Sequence, residues 1–201
     1  MHYISYLSRD KQLKTLIKSH GPLKLRKRNN VPLRICASIM SQQLSTRVSE
    51  VIYERFLNLF GGKEPLPEQI LRVDPETLRS IGLSNNKATY VHNVARFAIE
   101  HGMDNRKVSK MDNEDLIEYL TQIKGVGRWT AEMILMFTLG REDVFSVDDL
   151  GIQKAMTELY GIRHTDIKKI KKSMIRISDQ WAPYRTYACM HLWQFKDGGA
   201  I

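Results

Sequence analysis

Leu120-Thr121-Gln122-Ile123-Lys124-Gly125-Val126-Gly127-Arg128-Trp129-Thr130-Ala131 is the stretch whose reading decides the fold of this chain. It places Gly-Val-Gly between two segments of helical periodicity. Leu116, Ile117 and Leu120 lead into it, and Ala131, Ile134 and Leu135 lead out. Asp112, with Asp115 three residues on, reads as the cap that opens the first segment. Glycine reaches positive φ without steric cost and lets another backbone approach. The two glycines therefore permit a tight turn, with Val126 filling the seam between the helices. The second helix, starting near Arg128, presents unpaired N–H groups and the positive end of its dipole. Such a first turn suits a phosphate oxygen, and the Thr130 hydroxyl is expected to add a bond. An isolated Gly-x-Gly more often marks only a helix C-cap and turn. The long apolar pattern on both sides favours a helix-hairpin-helix over about residues 113–138.

Twenty residues after Trp129 comes Ser146-Val147-Asp148-Asp149, opening another helix. Aspartate caps helix N-termini, and one cap needs one side chain. The reading assigns Asp148 to the cap and leaves Asp149 in the first turn, pointing off the helix. A carboxylate there can stabilise a cationic sugar and orient or deprotonate water. On spacing alone, catalysis and a structural role for Asp149 are equally supported.

Working outward, the period stays helical nearly throughout. Leu13, Leu16 and Ile17 mark one helix, and Ile35, Ile39 and Met40 a second that begins near Pro32 and breaks around residues 41–45. Ser45 caps the next, with Val48, Val51, Ile52 and Phe56 on its apolar face and Gly61-Gly62 as its stop. Asp74-Pro75 starts a short helix that Gly82 ends, and Ser84 starts one running to Gly102. Further helices are expected near Asp148, Thr165 and Pro183. No alternating strand pattern and no fixed repeat is present. The predicted fold is all-α: a compact, two-lobed bundle of about ten helices with a cleft between the lobes.

Composition narrows the partner. The 201 residues carry 31 basic against 22 acidic side chains, a net charge of +9, which favours a polyanion. Lys24-Leu25-Arg26-Lys27-Arg28 and Lys168-Lys169-Ile170-Lys171-Lys172 are the densest basic runs. The second is interleaved with Ile167, Ile170, Met174 and Ile177, and reads as the solvated face of an amphipathic helix. Cys36 and Cys189 lie in apolar runs and read as buried free thiols of a reducing compartment. Two cysteines cannot supply the four thiolates of a typical iron–sulfur cluster. No run is long and apolar enough for a bilayer, and Met1-His2-Tyr3-Ile4-Ser5 lacks the apolar core of a secretion signal. A cytoplasmic protein is expected, at the nucleoid if the source is bacterial.

With these residues in place, the chain resembles the helix-hairpin-helix superfamily of DNA base-excision glycosylases, and within it the alkylated-purine branch of 3-methyladenine DNA glycosylase II type. The resemblance covers about residues 30–195 and rests on five matches in order. They are Ile39-Met40-Ser41-Gln42-Gln43-Leu44-Ser45, Gly82-Leu83-Ser84 with Lys87-Ala88, the hairpin with Arg128-Trp129-Thr130-Ala131, Asp148-Asp149, and Trp181-Ala182-Pro183-Tyr184-Arg185 followed by Trp193.

The resemblance implies that Asp149 is the catalytic carboxylate and that Gln42, Trp129, Met133 and Trp193 line the pocket for an extruded base. It implies DNA contacts at Gln43, Leu44, Gly125, Gly127, Arg128 and Thr130, with Gln43 or Leu44 as the wedge that fills the gap in the duplex. Trp129 stands where bifunctional glycosylase/lyase members carry an imine-forming lysine, so a monofunctional hydrolase is expected. The carbonyls of Thr121, Ile123 and Val126 match those that hold a monovalent cation, Na+ or K+, in some members; no other cofactor is implied. Met133 departs from an aromatic pocket wall, and Gln43 is an unusual wedge. The chain reads as a single glycosylase module over residues 1–201, too short for an extra N-terminal sheet domain. The expected partner is duplex DNA containing alkylated bases, met by a monomer, with no membrane. The competing readings are a glycosylase for deaminated or oxidised bases and a non-catalytic DNA-binding module.

Overall fold

The structure, a computed structural model, describes residues 2–198. Met1 and residues 199–201, the ends of the 1–201 span, lie outside the described residues. The chain opens with α1 (His2–Leu7) and α2 (Lys11–His20). Then follow α3 (Val31–Ser41), α4 (Thr46–Asn58), α5 (Pro67–Arg72), α6 (Pro75–Ser80) and α7 (Asn85–His101). A single turn, α8 (Asn105–Val108), precedes α9 (Asn113–Thr121) and α10 (Arg128–Phe137). The chain closes with α11 (Leu150–Leu159), α12 (Ile167–Ser178), a 3-10 turn at Asp179–Trp181, and α13 (Arg185–Lys196). Among the described residues these thirteen α-helices and one 3-10 turn are the regular structure, with no strand. The expected class is therefore the observed one. The three elements missing from the sequence reading, α1, α5 and α8, are only four to six residues long, too short to display a period. No helix among the described residues is long and apolar enough to cross a membrane.

Two compact units divide the chain. One joins residues 1–26 to residues 140–201, and the other is the continuous run Lys27–Leu139. The continuous unit is built on α7, against which α3, α5 and α6 pack, while α10 pairs with α3 and α9. Ile35, Cys36, Ile39, Met40, Val91, Val94, Leu116, Leu120 and Leu135 have essentially no exposed surface there. Ser45, Asp74, Ser84 and Asp112 cap the helices as their sequence positions predict. The apolar face of α4 departs from expectation. Ile52 and Phe56 are buried, but Val48 and Val51 are 45% and 41% exposed.

In the discontinuous unit, α13 packs on α2 and α11. At the α2–α13 contact, His191 has no exposed surface and meets the Nδ1 of His20 across 3.3 Å. Burial first, and the His20 ring second, pull the His191 pKa down to about 4. The unfolded chain therefore holds more protons than the folded one between about pH 6.5 and pH 4. This contribution to stability is complete above the ordinary histidine value and drains away as pH falls through that window, by about 3 kcal/mol at its lower end. Thermal melting followed from pH 7.5 down to pH 4.5 should show the midpoint falling, and less steeply in His191→Gln. Equal slopes in both proteins would contradict it.

Candidate active site and nucleic-acid interface

The hairpin lies in the continuous unit. α9 and α10 flank it, with Ile123 and Val126 buried beneath the turn. Gly125 has φ +105°, and a Cβ there would stand 2.2 Å from Cγ of Tyr90. The glycine is demanded twice, by backbone conformation and by the ring laid against it. Gly127 caps α10 and has no side chain to occupy the first-turn amides. That N-terminus has the chemistry of an anion site.

Two residues assigned to the interface from sequence are committed elsewhere. Arg128 donates two hydrogen bonds to Glu114, at 2.9 and 2.7 Å, and a third through Nε to Glu132 at 3.1 Å. The Glu114 bond raises the Arg128 pKa and lowers that of Glu114. Glu132 is only 2% exposed, so the guanidinium compensates a buried carboxylate. Thr130 is likewise buried, and its hydroxyl accepts Gln42 Nε2 at 3.3 Å. Both side chains thus hold the hairpin to its own unit. Arg128→Ala should accordingly cost about 1–2 kcal/mol of stability, discounted because the arginine is half exposed. Non-specific DNA affinity should change far less than the loss of a phosphate contact would require. Urea unfolding beside a duplex titration measures both, and an unchanged unfolding midpoint would contradict the assignment.

The turn after α3 carries the wedge candidates. Gln43 has φ +58°, unusual for a residue other than glycine, and its side chain is exposed. Leu44 beside it is 38% exposed. Lys87, one of the residues that carry the family resemblance, holds this turn from α7. Its ammonium donates to the carbonyls of Met40 and Gln42 at 2.9 and 2.8 Å. Partial burial lowers its pKa.

Trp129 and Met133, one turn apart on α10, line a pocket of about 360 Å³ in the same unit. Ser38 and Ser41 of α3 and Tyr53 of α4 face it. Gln42 is not among its lining residues; its amide is turned to Thr130. The volume falls in the range of small-ligand sites, which bury a ring against apolar walls with a few polar groups.

Asp149 and Trp193 belong to the discontinuous unit. Asp149, not Asp148, is the N-cap of α11: its Oδ1 accepts the Ile152 N–H at 2.8 Å. The expected division of labour is thus reversed. Asp148 is half exposed and pairs with Lys171 at 2.6 Å. A cap was assumed to exhaust a carboxylate, but it uses one lone pair of four. The same Oδ1 accepts the indole N–H of Trp193 at 2.9 Å. Two donors fix the plane of a buried carboxylate at a helix N-terminus, where negative charge is favoured. Trp193, expected as a pocket wall, therefore also positions Asp149. Gly151 makes this approach feasible, since a Cβ there would lie 3.0 Å from Asp149 Oδ1 and 3.2 Å from Trp193 Cδ1. The sequence reading passed over Gly151, the second residue of its helix.

In the same unit, Arg185 holds Asp143 through Nε and Nη2 at 2.6 and 2.8 Å. Trp181 is buried with its indole N–H on Asp10 at 3.0 Å. Asp10 was missed altogether, although an aspartate directly before an amphipathic run is a capping signal. Among the described residues no group of three histidine, cysteine or acidic side chains is placed to hold a metal.

An all-helical chain with an unblocked Gly-Val-Gly helix start and a capped, indole-bound aspartate downstream is organised like a DNA base-excision protein. It belongs to the HhH-GPD superfamily of base excision DNA repair proteins, whose family model matches residues 36–183. DNA-3-methyladenine glycosylase 1 of Schizosaccharomyces pombe is 33% identical over 92% of this chain and 80% of its own length. The structure of the 3-methyladenine DNA glycosylase of that yeast in complex with abasic DNA matches over the whole of both chains, with TM-score 0.88 and 31% identity. A DNA-3-methyladenine glycosidase from Bacillus halodurans matches with TM-score 0.81 and 38% identity, over 96% of this chain and 88% of its own.

Proposed function

We propose that this chain is a monofunctional DNA glycosylase of base excision repair. It flips alkylated purines of the 3-methyladenine and 7-methylguanine class out of duplex DNA and hydrolyses their N-glycosidic bond. The observation that carries this reading is the Asp149 carboxylate, fixed by a backbone N–H and an indole N–H in a chain with no lysine at position 129.

Alkylation at N3 or N7 leaves the purine cationic, and extruding it costs a few kcal/mol. Trp129 offers the cationic ring an indole face, a contact of about 0.5–2 kcal/mol. As the C1′–N bond breaks, its electron pair leaves with the base, which becomes neutral. Asp149 faces the oxocarbenium-like sugar that remains, and water then adds at C1′ and loses a proton. The leaving group is already activated, so no strong general acid is needed. Backbone amides at the start of α10 grip a phosphate. The Thr121, Ile123 and Val126 carbonyls are the residues to hold a Na+ or K+ beside it. Ile123 already accepts the Val126 N–H at 2.9 Å, and each carbonyl has a second lone pair. The chain acts as a cytoplasmic monomer, which gel filtration with and without duplex tests.

Incubation with methylated duplex should release methylated purines and leave intact abasic strands, with no borohydride-trapped adduct. Lys87, at the turn after α3, already serves two carbonyls. Release of deaminated or oxidised bases instead, binding without release, or an efficient trapped adduct would each overturn the reading.

A further inference from the structure

The positive charge of this chain does not sit with its hairpin. The continuous unit that contains the hairpin has 15 basic and 13 acidic residues, whereas the discontinuous unit has 16 and 9. Within the latter the excess is concentrated between Arg163 and Arg176, where six cations meet one acid, Asp166. On α12, Lys168, Lys169, Lys172 and Arg176 share one face, opposite Met174, the buried anchor of the helix. All four are exposed, and among the described residues no acidic side chain forms an ion pair with any of them. A groove of about 480 Å³ runs beside this face, lined by Lys169, Lys172, Arg176 and His164, with Asp179 at its edge. Its apolar rim is Ile175, which is 46% exposed where a solvated helix would bury its isoleucines. The helix is also tied to the candidate catalytic turn, since Lys171 bonds Asp148, the neighbour of Asp149.

We propose that the Lys169–Lys172–Arg176 face of α12 is a second DNA-backbone contact, which holds the duplex flanking the base presented to Asp149. This rests on the glycosylase reading above for the identity of its polyanion. Three cations, the outer two seven positions apart, span about 10 Å along the helix. Duplex DNA carries one charge per about 1.7 Å of axis, so several phosphates come within reach. Lysine and arginine on an exposed helix face contact phosphate without reading sequence. The site is therefore expected to supply affinity for any duplex, damaged or not.

The test is the salt dependence of binding to an undamaged duplex. In the triple variant Lys169→Gln, Lys172→Gln, Arg176→Gln the slope of log K against log salt should shrink by about 2–3, at about 0.9 per phosphate contact. Affinity at 0.1 M salt should drop at least about tenfold. Lys169→Arg with Lys172→Arg should keep the parent slope, which separates charge from folding. An unaltered slope would overturn the proposal, and lost binding to polyglutamate alongside it would assign the face to an acidic protein instead. Because the probe carries no lesion, a reduced slope in a protein that releases no alkylated base would uphold this surface and overturn the glycosylase reading instead.

Discussion

Asp149→Asn should abolish almost all base release while leaving fold and DNA binding intact. The structure makes this substitution unusually clean. Asparagine caps helices as well as aspartate, so the Ile152 N–H keeps its acceptor. The amide oxygen can also keep the indole N–H of Trp193, now at Oδ1. What disappears is the negative charge that the proposed mechanism sets against the sugar cation. Removing one preorganised electrostatic group costs about a hundredfold to a thousandfold in rate. The expected result is a single-turnover rate down by at least about a hundredfold, with the melting temperature and duplex affinity near those of the parent. Retention of parental base release would remove Asp149 from the chemistry. Asp148→Asn is the control: it breaks a half-exposed pair with Lys171, worth at most about 1 kcal/mol, and should leave release untouched.

That control rests on a reversal of the sequence reading, and the reason is instructive. Adjacent aspartates before a helix look alike in sequence. Which one caps depends on where the helix begins, and helix ends are the least legible feature of any pattern. The hairpin was readable because it needs apolar spacing on both sides and a glycine at the turn, all local. The fold class was readable for the same reason: Asp74-Pro75, Ser84 and Asp112 announce their helices. What failed was side-chain partnership over distance. Nothing near Arg128 in sequence says that Glu114 would claim it, although Glu132, four residues on in the same helix, was a local signal passed over. Nothing near Thr130 says that Gln42, 88 residues back, would donate to it. Lys87 belongs to the same class: its role exists only because α7 packs on α3 and brings its ammonium under the turn that carries Gln43. Residues assigned to the interface by motif position thus also have structural partners that no motif announces.

Asp10 carries that lesson to its largest expected consequence for stability. It is 8% exposed and caps α2, with Oδ1 accepting the N–H groups of Gln12 and Leu13 at 2.9 and 3.1 Å. Its Oδ2 accepts Tyr160 Oη at 3.0 Å, Gln180 Nε2 at 3.3 Å and Trp181 Nε1 at 3.0 Å. One side chain thereby ties α2 to the end of α11 and to the turn before α13, residues far apart in the chain. Burial, and then the Asp10 charge, raise the Tyr160 pKa, which keeps that phenol a donor. Here asparagine is no substitute. If its oxygen serves the cap, its NH₂ confronts three donors; if it turns, the cap is lost. Both Asp10→Asn and Asp10→Ala should therefore destabilise by about 3 kcal/mol or more, the cost of buried donors left unpaired. For a chain of this length that is about 10 °C in melting temperature. Asp149→Asn should barely move it. Thermal melts of the three variants side by side decide the matter: a shift for Asp10→Asn no larger than for Asp149→Asn would show that the five hydrogen bonds do not hold this unit together.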